Sequence, residues 1–137
     1  MSVDFTIEDI RDGVLSASPH SGADKLGKLP DLTGVHKIGI SGYKVNLEHL
    51  RQIAQVEGLN SLSLCSTGIT DEGVRELDGL TELEELLLNF TEITDESIEV
   101  LLRLRGLKSL GVNSTRLTAE GVARLREGLR AQGCQVD

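Results

Sequence analysis

The chain has 137 residues, 39% of them apolar, with no Trp, one Tyr and two Phe. That length supports one domain with a continuous core, and the core must be aliphatic. A formal charge of −8 speaks against a phosphate-binding surface, because Lys and Arg carry affinity for nucleic acid, and no stretch approaches a membrane span.

The N-terminus reads Met-Ser-Val-Asp-Phe-Thr, with no basic region and no following apolar run, so no secretory signal is expected. Cys65 and Cys134 then fit reduced thiols in a cytoplasmic protein. Residues 4–17 carry a helix signal: Thr6 as cap, Asp9 three residues on, and Ile7, Ile10 and Val14 at helical spacing. Asp12-Gly13 weakens that pattern, and the Ser-Pro-His-Ser-Gly run at 18–22 ends it.

From residue 23 a fixed period takes over. Leu59 recurs as Leu83 and again as Leu107, and the same interval relates Leu62, Leu86 and Leu110, and then Leu64, Leu88 and Val112. A constant interval of this size marks a stacked repeat. Within each unit, Leu50, Val74, Ile98 and Val122 form one column and Ile53, Leu77, Leu101 and Leu125 another, on one face of a helix. Asn46, Thr70, Thr94 and Thr118 stand where each helix should start, and the acids Asp71-Glu72 and Asp95-Glu96 suit its positive end. These acids have a sufficient structural role. The strand half alternates, as in Leu62-Ser63-Leu64, with the period of two that a core-facing strand requires.

Units start near residues 35, 59, 83 and 107, and a final partial strand starts near 131, where Cys134 continues the Leu110 column and Val136 the Val112 column. The division is a helical cap over 1–22, covering the end of the stack, and a repeat domain over 23–137.

The pattern L-x-x-L-x-L-x-x-T-x-I-T-D-x-G resembles the leucine-rich repeat superfamily, and most closely the cysteine-containing subtype of F-box-associated and bacterial proteins. The resemblance covers roughly residues 23 to 136. It implies an α/β solenoid with a curved parallel sheet on the concave side, helices on the convex side, and protein–protein recognition as the task. The turn position that carries Asn or Cys in typical members is Thr67, Thr91 and Thr115 here, where a hydroxyl can bond the local backbone. In the first unit that position is Tyr43, and that unit is the least regular.

Parallel stacking sets equivalent positions side by side, about 4.8 Å apart. The outward columns are His36, Asn60, Glu84, Lys108; Lys37, Ser61, Glu85, Ser109; Gly39, Ser63, Leu87, Gly111; Ser41, Cys65, Asn89, Asn113; and Gly42, Ser66, Phe90, Ser114. Leu87 and Phe90 are large apolar side chains flanked by Ser or Gly, as interface anchors often are. The competing reading is an aromatic ring folded over the sheet edge, or a single exposed apolar group needing no explanation. Glu84 is expected to pair with Lys108, leaving Glu85 for a basic group on a partner. The candidate partner-binding set is Glu85, Leu87, Asn89 and Phe90, with Asn60, Ser63, Cys65 and Asn113 around it.

The histidines lack metal-ligand spacing, no nucleophilic dyad forms around Cys65, and no phosphate-binding fingerprint accompanies Gly39 and Gly42. No catalytic residue, metal or cofactor is expected. The reading is a non-enzymatic cytoplasmic module, monomeric or weakly homo-oligomeric, that binds a partner protein through its concave face. The acidic charge suits a basic partner, as an inhibitor or immunity-type protein would have. The alternative is an assembly protein that self-associates through an open solenoid edge, or a binding accessory of a larger complex.

Overall fold

A computed structural model describes residues 2–3, 10–17 and 25–137. The strands and helices in chain order are β1 (Ser2–Val3), β2 (Ile10–Arg11), β3 (Val14–Ala17), β4 (Lys25–Leu26), β5 (Lys37–Ile40), α1 (Leu47–Ala54), β6 (Ser61–Ser63), α2 (Asp71–Arg75), β7 (Glu85–Leu87), α3 (Ile98–Leu102), β8 (Ser109–Gly111), α4 (Ala119–Gly128) and β9 (Gln135–Val136). Short 3-10 turns lie at Asp95–Ser97, ahead of α3, and at Arg130–Gln132. Seven strands form one open sheet in the order β2-β3-β5-β6-β7-β8-β9, parallel except for the first pair. A separate parallel pair joins β1 to β4.

The repeat sets the register. Leu62 pairs with Leu86 and Leu86 with Leu110, each step being one full repeat. All three are fully buried, as are Leu64 and Leu88 just past β6 and β7, Leu77 just past α2, and Leu101 on α3. Burial of such a leucine stabilises the fold by about 1.5–3 kcal/mol, so the stack is held by aliphatic layers, each sharing its core with the next. Thr67, Thr91 and Thr115 close each turn by donating their hydroxyls to the carbonyls of Leu64, Leu88 and Val112, at 2.6, 2.6 and 2.9 Å. Tyr43 takes the same place in the first unit and is buried.

Two expectations are corrected. Where a helix was expected over 4–17, residues 10–17 form an antiparallel hairpin, and residues 4–9 lie outside the described residues. Asp12 and Gly13 both adopt positive φ, 52° and 76°, the backbone of a two-residue hairpin turn that Asp-Gly favours. Gly13 accepts the backbone N–H groups of His36 and Lys37 at 2.9 and 3.2 Å. The hairpin thereby extends the sheet, with Leu15 beside Ile38.

The second correction is at the other end. Leu110 pairs with Val136, not with Cys134, so the last unit is longer by two positions than those before it. Helix α4 has ten residues against five in α2 and α3, and the 3-10 turn follows before Gly133 turns the chain at φ 72°. The extra length is used on the helix side, so Val136 takes the buried slot and Cys134 is left partly exposed.

Helix starts follow the capping residues with one exception. The side chains of Asn46, Thr94 and Thr118 accept N–H groups of His49, Glu96 and Gly121, whereas Thr70 makes no side-chain cap. On the convex side, Arg51 with Glu76, Asp78 with Arg103, and Glu99 with Arg124 form ion pairs between successive helices at 3.2, 3.0 and 3.4 Å. These exposed pairs contribute little stability, but they occupy arginine charge on that side.

Candidate functional site

Strands β6, β7 and β8 place Ser61, Glu85 and Ser109 side by side, and Ser63, Leu87 and Gly111 in the next row. Alternation turns the leucines between them inward, so these rows form the outward face of the sheet. The columns read from sequence for the second to fourth units hold here.

What the side chains do there differs from the expectation in several places. Lys108 does not pair with Glu84; its ammonium donates to the Gln132 carbonyl at 2.7 Å. Glu85 is half-buried and accepts the Ser61 hydroxyl at 2.8 Å, which fixes the carboxylate without neutralising it. No described cation forms an ion pair with Glu84 or Glu85.

Leu87 is half-buried. A methyl group built on Gly111 would stand 3.0 Å from Leu87 Cδ2 and 2.9 Å from Asn89 Nδ2, so both side chains lean onto the bare backbone of the next strand. Asn89 also accepts the Asn113 N–H at 2.8 Å and lies with its Nδ2 3.7 Å from Cys65 Sγ, which the Ser63 hydroxyl meets at the same distance. Asn89 is therefore a cross-strand tie, and Ser63 and Cys65 belong to the same weak network. Asn60 and Asn113 are exposed, and the Asn60 carbonyl serves the backbone of Glu84 and Glu85.

Phe90 is the exception. It is 65% exposed, the one exposed large hydrophobic side chain among the described residues. Its backbone is left-handed, at φ 59°, and the equivalent residues are Gly42, Ser66 and Ser114, at 80°, 58° and 56°. For an aromatic residue that conformation is uncommon and carries strain. The aromatic ring stands on a row whose other members have no side chain or a short one.

Clefts of about 450, 420 and 320 Å³ lie elsewhere: by the 31–34 loop and the end of α1, between the ends of α1 and α2, and at the starts of those helices. None of the three is lined by an outward residue of the sheet. No group of three or more potential metal ligands occurs among the described residues, and no helix among them is long and apolar enough to cross a membrane.

This stack of strand-plus-helix units, sheet on one side and helices on the other, is matched by nine chains of known structure. One is a leucine-rich repeat protein of Leptospira interrogans, with a TM-score of 0.59, 22% identity and 82% of this chain covered. The fold is a leucine-rich repeat solenoid. The chain spans 29% of that protein's length. No protein-family model and no curated protein matches the chain.

One relationship was not apparent from single units. Asp71 and Asp95, read as helix-start acids, also reach into the following unit: Asp71 accepts from Thr94 and Ser97, and Asp95 from Thr118. The signal was present in the equal spacing of Asp71 from Thr94 and of Asp95 from Thr118.

Proposed function

We propose that this chain is a non-enzymatic module of the cysteine-containing leucine-rich repeat kind that binds a partner protein across the outward face of its sheet. Phe90 is the centre of that surface, with Glu85 and Leu87 on β7, Asn89 just beyond it, and Asn60, Ser63, Cys65 and Asn113 at the rim. The net charge of −8 favours a basic partner, in the manner of an inhibitor or immunity-type protein in the cytoplasm. Residues 1–22 serve as the N-terminal cap of the stack and residues 23–137 as the binding domain.

Phe90 is the observation that carries this reading. Exposed apolar side chains are common on protein surfaces, but one held in a left-handed backbone costs about 1–2 kcal/mol. Its exposure leaves little packing within the chain to offset that cost. A strained, exposed aromatic ringed by small polar residues has the character of an interface anchor.

A comparative pull-down from cells that make the protein tests the proposal, using wild type, Phe90→Ala and Glu85→Gln as baits. A protein retained by wild type and lost with Phe90→Ala supports it. The same captured set with all three baits would remove the sheet face from consideration.

A further inference from the structure

The chemistry of the occupant is written in the charges around β7. Arg51, Arg103 and Arg124 are committed to carboxylates on the convex side, and Arg116 to Glu92 at 2.7 Å. Lys108 is drawn to the Gln132 carbonyl. On the outward face this leaves Glu84 and Glu85 without an ion-pair partner among the described residues, with Lys108 one strand away turned to Gln132 and Lys37 two strands away, about 10 Å across the sheet. Ser61 holds the Glu85 carboxylate in place, so it is presented with its charge intact. Phe90 stands five residues after Glu85, beyond the end of β7 and at a left-handed turn, so it lies nearer than the roughly 16 Å that five extended residues would span.

We propose that this face takes a basic, extended segment of the partner, with a Lys or Arg side chain against Glu84 and Glu85 and an apolar side chain against Phe90. The inference rests on the binding role proposed above. An extended segment needs at most about five residues to span the separation between Glu85 and Phe90, so its cation and apolar group stand no more than about five positions apart. Leu87, half-buried over Gly111, is the apolar floor between the two ends. Charge complementarity of this kind governs partner choice and association rate more than total affinity, and exposed carboxylates make binding sensitive to salt.

The test is a selection of random peptides about a dozen residues long, displayed on phage, against the immobilised full chain. The enriched peptides are then synthesised and titrated against wild type, Phe90→Ala and the double variant Glu84→Gln/Glu85→Gln, in low and high salt. The expected result is enrichment of peptides with Lys or Arg within about five positions of Leu, Ile, Met or Phe. Their affinity should fall about tenfold or more with either variant and weaken as salt rises. Peptides that need Phe90 but lack the basic residue, or ignore the double variant, overturn the basic segment and leave the binding face standing. Peptides that bind Phe90→Ala as tightly as wild type overturn both. A selection that enriches nothing above background overturns the extended segment.

Discussion

Asp71 holds Thr94 by two bonds at once, accepting its backbone N–H at 2.9 Å and its hydroxyl at 2.6 Å. The Ser97 hydroxyl adds a third bond at 2.5 Å. A carboxylate at the start of one helix therefore organises the start of the next. Burial of Asp71 pushes its pKa up, but the Ser97 and Thr94 bonds and the charge of Arg75 outweigh it and hold the group below the ordinary 3.8. The folded-state value lies below the unfolded one, so the contribution is complete above about pH 5 and is lost as pH falls through the folded-state value. Asp71→Ala should cost about 1–3 kcal/mol at neutral pH. Urea denaturation at pH 7 and at pH 3 checks this. The gap between variant and wild type should shrink at the lower pH, and an equal gap would show that the charged form is not responsible.

The turn threonines carry a similar burden inside each unit. Thr91 is buried, and its hydroxyl is 2.6 Å from the Leu88 carbonyl. Thr91→Val keeps the shape and removes the donor. Leaving a buried carbonyl short of that bond should cost about 1–3 kcal/mol. Thr115, only partly buried with a 2.9 Å bond, should show the smaller loss in the same denaturation experiment.

Phe90 gives a prediction of opposite sign. At φ 59° a glycine is free of the clash that a Cβ brings, although it adds entropy to the unfolded chain. Phe90→Gly should leave the fold intact and raise stability by about 0.5–1 kcal/mol, while removing the anchor. Thermal and urea midpoints of Phe90→Gly and Phe90→Ala, compared with wild type, read this directly. A fall in the midpoint with glycine would mean that the ring packs against its own chain.

Cys134 should be the slow thiol. Burial raises its pKa, and nearby Lys108 lowers it by less. The thiolate is the reacting form, so alkylation of Cys134 should go on accelerating at pH values where a free thiol has levelled off. Iodoacetamide labelling followed by peptide mass spectrometry measures the rate. Rapid modification at neutral pH would contradict the partly buried position.

The sheet was legible because inward leucines recur at one constant interval with nothing inserted between Leu59 and Leu107. The ends were not. Ile7, Ile10 and Val14 match a helix, and the two left-handed residues at Asp12-Gly13 decide for a hairpin, which shows its benefit only when β3 finds β5. The slip that puts Val136 beside Leu110 depends on how long α4 runs, and Arg124-Leu125-Arg126 reads equally well in a shorter helix. At the candidate site, exposure of Phe90 followed from its column. Its left-handed backbone and the lean of Leu87 and Asn89 over Gly111 did not, since both arise from neighbouring strands. The turn of Lys108 toward Gln132 depends on the last unit, whose register the period misplaced.

The bonds that reach from Asp71 to Thr94 and from Asp95 to Thr118 have a consequence for how such a chain can change over generations. Excising or copying one whole repeat block between Asn60 and Leu107 leaves every inward leucine beside another. A single-residue insertion in a strand instead turns its buried side chains to water. Duplication or loss by whole blocks is therefore the tolerated route to longer or shorter descendants. The convex side, which absorbed the added length before Val136 without breaking the sheet, is where smaller length changes can accumulate.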